Sequence, residues 1–150
     1  MKLSIKDYIL VLLQAVLFVM FLFDFNWLDV TIPEWIKNVA IVFFGLGLLI
    51  TMVALLQLNK NLSPFPTPKS NSALIKNGLY KYIRHPIYTG LLFLFFGYTV
   101  YSESIYRLIV SILLLALFHV KSRYEEQKLK ERFVEYESYR TNTGRFLPRF

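Results

Sequence analysis

Tyr80, Arg84, His85, Pro86 and Tyr88 lie together in the stretch KNGLYKYIRHPIYTG, residues 76–90. Arg84 is a permanent cation, and His85 brings an imidazole, a residue type that can accept or donate a proton. Pro86 suits the first turn of a helix, where its missing N–H costs nothing. The free N–H groups of such a turn, with cations beside them, can receive a carboxylate or a phosphate. Tyr80, Tyr82 and Tyr88 suit a ligand ring, and they equally suit an aromatic belt at a membrane surface. Anionic lipid accounts for Lys81 and Arg84 as well as a soluble anion does.

A second cluster lies in the tail, RYEEQKLKERFVEYESYRTNTGRFLPRF. Glu125, Leu129, Phe133 and Tyr136 recur at helical spacing and share one face of a helix expected from Lys121 to about Tyr139. Glu125 thus sits on an apolar face, where a carboxylate needs a partner such as Arg84, His85 or a ligand amine. Glu126 has a surface ion pair with Lys130 open to it. Beyond Gly144, RFLPRF can fold back on the same surface. The chain has no Cys and two His, His85 and His119, so thiolate chemistry is excluded and a zinc site is disfavoured. It has neither a Gly-rich dinucleotide fingerprint nor a phosphate-binding loop motif.

The elements that must position these residues are apolar. Of 150 residues 55% are hydrophobic, 14 are Phe and only 18% are charged, below the roughly 25% of soluble domains. Four segments are expected to cross a bilayer: Tyr8–Leu28, Val39–Leu58, Ile87–Tyr101 and about Ser104–Val120. No small-residue cleavage site follows the first, so it is read as a retained span. Trp27 is a plausible interface anchor for it, and Gly45 and Gly47 read as close helix contacts in the second. The last two are short; they form a tight pair joined at Ser102–Ser104 or a re-entrant hairpin, with Arg107 reaching toward the headgroups.

All 17 Lys and Arg except Lys37 and Arg107 fall in residues 1–7, 59–85 and 121–150. This bias places both termini in the cytoplasm and explains the net charge of +7 without nucleic acid. Pro64, Pro66 and Pro68 keep the inner connection extended, as a lid over a site or as a plain link. The expectation is one all-α integral membrane domain over 1–150, with about four transmembrane helices and a C-terminal cytosolic amphipathic helix. It belongs in a cell membrane, and its inner-face region comprises 76–90 and 121–150.

NGLYKYIRHPIYTG, a hydrophobic hairpin, and then RYEEQKLKERFVEYESYRTNTGRFLP together resemble the isoprenylcysteine carboxyl methyltransferase superfamily, which also includes phospholipid N-methyltransferases. The resemblance is specific over Gly78–Pro148; before that it is only hydrophobic and positional. It implies a membrane methyltransferase using S-adenosyl-L-methionine, with a lipophilic or lipidated acceptor among membrane lipids. The matching motifs assign cofactor binding to Tyr80, Arg84, His85, Pro86, Tyr88, Glu125 and Glu126, and the transfer itself to Glu126, Arg140 and Arg145. Tyr136 and Tyr139 match its C-terminal aromatic positions. Val134 departs from the Gly that often follows the Phe at position 133. The archetype of the superfamily points to a carboxylate acceptor. Methylation of a phospholipid amine is the alternative, and a non-enzymatic membrane scaffold is the reading outside enzymes.

Overall fold

The computed structural model describes residues 3–25 and 30–149 as an all-α protein. Its helices are α1 (Ile5–Leu22), α2 (Glu34–Leu58), α3 (Pro86–Tyr101), α4 (Ile105–Arg132) and α5 (Tyr136–Asn142). α1, α2 and α4 are long and apolar enough to cross a membrane; α3, at 16 residues, is a shorter apolar helix. Many of the apolar side chains facing outward on α1 and α2, among them Leu12, Val16, Val19, Leu49 and Leu56, are exposed. In water such a surface would be an aggregation liability; in a bilayer it is the lipid face. The chain is a multi-pass integral membrane protein.

α1 starts at Ser4, which caps Asp7 N–H while the Asp7 carboxylate accepts the Ser4 N–H at 2.7 Å. It ends at Leu22, six residues before the expected limit; Trp27 and Asp29 lie outside the described residues. Ending there frees Asp24 to accept from the Ser104 hydroxyl at 2.5 Å and to pair with Arg107 at 2.7 Å. Arg107 therefore turns to an acid within the protein instead of to the headgroups.

α2 and α3 form the closest pair. A Cβ on Gly47 would lie 2.6 Å from the Gly90 carbonyl oxygen, and one on Gly90 would lie 2.7 Å from Thr51 N. Gly47 is thus a close helix contact, whereas Gly45 faces open space and is not. α1 packs on α4, and α3 joins the two pairs. Where α1, α3 and α4 meet, Phe21, Phe95, Val110, Leu114 and Phe118 form the core. Phe18 and Phe21 pack against Phe95, ring centroids 5.2 and 4.6 Å apart, the first tilted and the second edge-on, so α1 and α3 touch toward the α1 C-terminus. Toward its N-terminus α1 stands apart from α2 and α3, and a cavity opens there.

α4 does not stop at Val120. It continues without a break to Arg132, where the chain turns extended at Phe133 before α5. The single helix expected over 121–139 is therefore two. The break lets Tyr136 and Tyr139 tuck inward and bury, a tertiary gain that local periodicity does not register. The proline-rich segment between α2 and α3 forms a strap. Thr67 is held by Asp7 through its N–H at 3.0 Å and its hydroxyl at 2.9 Å, and the Arg132 guanidinium donates to the Lys69, Ser70 and Ser72 carbonyls.

Candidate functional site

The α1 N-terminus, the strap, the α3 mouth, the end of α4 and the tail share one face of the molecule. Pro86 is the first residue of α3, as expected, and no side chain caps that helix. The tail runs beside the mouth as a short parallel bridge between Ile83 and Gly144. Arg84 N–H donates to Gly144 O at 2.8 Å and His85 N–H to Arg145 O at 3.1 Å, while the Thr89 hydroxyl donates to Phe146 O at 2.7 Å.

Glu126 is the electrostatic centre of this face, and it is 5% exposed. Its Oε1 accepts from Arg84 Nε and Arg145 Nε, both at 3.0 Å, and lies 3.3 Å from His85 Nε2. Its Oε2 accepts from Arg145 Nη2 at 2.8 Å, which makes the Arg145 contact two-pronged. Burial alone would raise its pKa. Hydrogen bonds from His85, Arg145 and Arg84 outweigh that and hold the carboxyl well below the ordinary range. The ion pair with Lys130 suggested by sequence does not form; Lys130 pairs with Glu137 instead. Arg84 is further fixed by the carbonyls of Arg140 and Thr143.

Glu125, one residue away, is differently placed. Its side chain is 29% exposed, accepts from the Tyr88 hydroxyl at 3.1 Å and lies 3.7 Å from His85 Nδ1. Among the described residues no Lys or Arg pairs with it. The His85 and Tyr88 rings stack at 5.4 Å, and Tyr88 stacks on Phe118 at 4.8 Å. The imidazole therefore stands between the two acids with its plane set by the core.

Two cavities meet at Glu125. The larger, of about 370 Å³, lies among α1, α2, α3 and α4, with Gln14, Thr51, Tyr80, His85, Tyr88 and Lys121 in its wall. That is within the usual size of a small-molecule site. The smaller, about 90 Å³, lies under the strap against Leu129, Tyr136 and Tyr139. Tyr80, Arg84 and Glu125 line both, and strap residues line both as well. The Tyr136 hydroxyl is buried without a hydrogen-bond partner among the described residues, an orphan donor awaiting an acceptor. Tyr139 donates to Tyr80 O at 2.6 Å. Burial, partly offset by Arg84, pushes the Tyr139 phenol up to about 12. Burial also raises Tyr80 and Tyr136, so these three phenols stay protonated at neutral pH.

Tyr80, Arg84, His85, Pro86, Tyr88, Glu125, Glu126 and Arg145 are therefore gathered at one place. Arg140 is not: its side chain is exposed and pairs with Glu137 at 3.3 Å. Lys121, Gln14 and Thr51 line the cavity without having been marked by any motif. The signal for Lys121 was present, since it stands one helical turn before Glu125 on the same face.

The sequence profile of a family described as phospholipid methyltransferase matches residues 35–135. The match takes in α2, which the motif resemblance treated as merely apolar, together with the α3 mouth and the acid pair. It stops short of Arg140 and Arg145. No curated protein matches the chain.

Proposed function

The chain belongs to the phospholipid methyltransferase family, a membrane S-adenosylmethionine-dependent methyltransferase acting on a lipophilic acceptor, and from that premise we propose that its acceptor is the amine of a phospholipid headgroup. The observation that carries this reading is Glu125, a carboxylate without a Lys or Arg partner that faces the cavity. A negative group there attracts an ammonium and repels the carboxylate that the superfamily's archetype would methylate.

The residues present fit the cofactor. The orphaned Tyr136 hydroxyl, the tyrosine-lined walls and the uncapped α3 N-terminus match its adenosine and carboxylate. When bound, S-adenosylmethionine supplies a methyl group activated by a sulfonium. Tyr80, His85 and Tyr88 would hold it, with Pro86 shaping the mouth. Glu125, at the junction of the cavities, orients the acceptor ammonium and is the first acceptor for the proton that must leave before nitrogen can attack. The nearby tyrosines remain neutral and crowd out water. Alignment carries most of the remaining barrier.

Glu126 and Arg145 take a positioning role. The Glu126 oxygens are engaged by protein cations, and the cluster ties α4, the α3 mouth and the tail into one wall. By the charge bias, this face and both termini lie on the cytoplasmic side.

The test uses purified protein in proteoliposomes with methyl-labelled S-adenosylmethionine and phosphatidylethanolamine. The expected result is label in the lipid fraction that mild base does not release as methanol. Label released by base as volatile methanol, the mark of a methyl ester, overturns the amine reading and restores the carboxylate one.

A further inference from the structure

The larger cavity holds one charged group that the proposed reaction has not used. Lys121 is 2% exposed, yet among the described residues no carboxylate lies within ion-pair distance of it. Its ammonium donates to the Gln14 side-chain carbonyl and stands 5.7 Å from the centre of the Tyr88 ring. One neutral amide and one ring face do not replace the water lost around a buried cation, and an anion is the missing partner. Gln14 and Lys121 come from α1 and α4, which pack on each other, while α1 and α2 are not a packed pair.

Resting on the phospholipid-amine reading, we propose that Lys121, held by Gln14, receives the phosphate of the acceptor headgroup while Glu125 receives its amine. Lys121 and Glu125 are four residues apart on one continuous helix, so both face the same cavity about 6 Å apart along the axis. Neither is paired with the other. The order of chemistry along α4 is the order of chemistry along a phospholipid. First comes the apolar stretch to Val120, then a cation at the membrane boundary, then an anion on the cytosolic side. An acyl chain, a phosphodiester and an ammonium match these in turn. A ligand arriving from the cytosol with its ammonium leading would meet the charges reversed.

Three acceptors separate the possibilities: phosphatidylethanolamine in vesicles, water-soluble glycerophosphoethanolamine, and a long-chain alkylamine without phosphate. Lys121→Gln is expected to lower kcat/KM for phosphatidylethanolamine roughly ten- to hundredfold, the worth of one charge-assisted hydrogen bond. The alkylamine should be unaffected within about twofold, and so should S-adenosylmethionine affinity by calorimetry. Lys121→Arg should keep most of the preference for the phosphorylated acceptor, and it carries the test if the Gln variant does not fold. Wild-type turnover of the lipid well above the soluble phosphodiester supports a lipid source; equal turnover overturns it.

Equal losses for both lipophilic amines overturn the inference. So does a fall in cofactor affinity, which would assign Lys121 to the cofactor carboxylate. A wild type that methylates both amines with no Lys121-dependent difference removes the inference alone. A wild type that methylates no amine removes the functional reading beneath it.

Discussion

Glu125 and Glu126 are neighbours in the chain with opposite surroundings, and that difference separates their variants. Glu125→Gln keeps the hydrogen bond from Tyr88 but loses the charge facing the cavity. Methyl transfer is expected to fall on the order of a hundredfold, with the melting temperature nearly unchanged; labelled transfer and thermal unfolding in detergent check both. Glu126→Gln leaves the partly buried Arg84 and Arg145 around a buried neutral amide. It should cost about 3 kcal/mol of stability, the usual penalty for breaking a buried ion pair. The pH sign follows from the direction of its shift. A carboxyl depressed on folding contributes stability that is intact above its ordinary value of 4.5 and is lost as pH falls toward the depressed one. Thermal stability of the wild type should therefore drop below about pH 4.5, and Glu126→Gln should flatten that part of the profile.

Among the elements, the α2–α3 seam depends on Gly47 and Gly90, each facing backbone of the other helix. Gly90→Ala is expected to destabilise by about 2 kcal/mol, as overpacking does, and Gly45→Ala to be neutral; paired thermal melts decide this. The three long spans were legible because long apolar runs need no partner to be recognised, whereas the third expected span is only a 16-residue apolar helix. Pro86 at a helix start was legible because proline is tolerated in few other helical places. The interruption at Phe133 was not, since no Gly or Pro marks it and its cause is the burial of Tyr136 and Tyr139 against distant residues. For the same reason the helical face predicted the acid pair but not which acid would be consumed. That depended on Arg145 returning along the Ile83–Gly144 bridge. Asp7 as an anchor for the strap was hidden too, because its partner Thr67 lies 60 residues away.

For the whole molecule, the charge distribution predicts which side each loop occupies. The chain has no Cys, so single Cys substitutions can be labelled without background. Ser70→Cys and Ser138→Cys should react with an impermeant thiol reagent only after the membrane is opened, whereas Ser102→Cys should react in sealed cells. The opposite pattern would invert the topology.

α4 runs unbroken from the Arg107–Asp24 pair to Glu125, 18 residues that measure about 27 Å at the rise of an α-helix. That length is close to the roughly 30 Å of a bilayer's hydrocarbon core. On the proposed reading, one unbroken rod is pinned by an ion pair at its outer end and carries the reacting plane at its inner end. The enzyme is in effect a depth gauge. Reconstituted into a series of phosphatidylcholine hosts of increasing acyl length, its turnover should peak where the core matches that rod. On either side it should decline, because a thicker membrane draws the carboxylate under the headgroups and a thinner one lifts it out of reach.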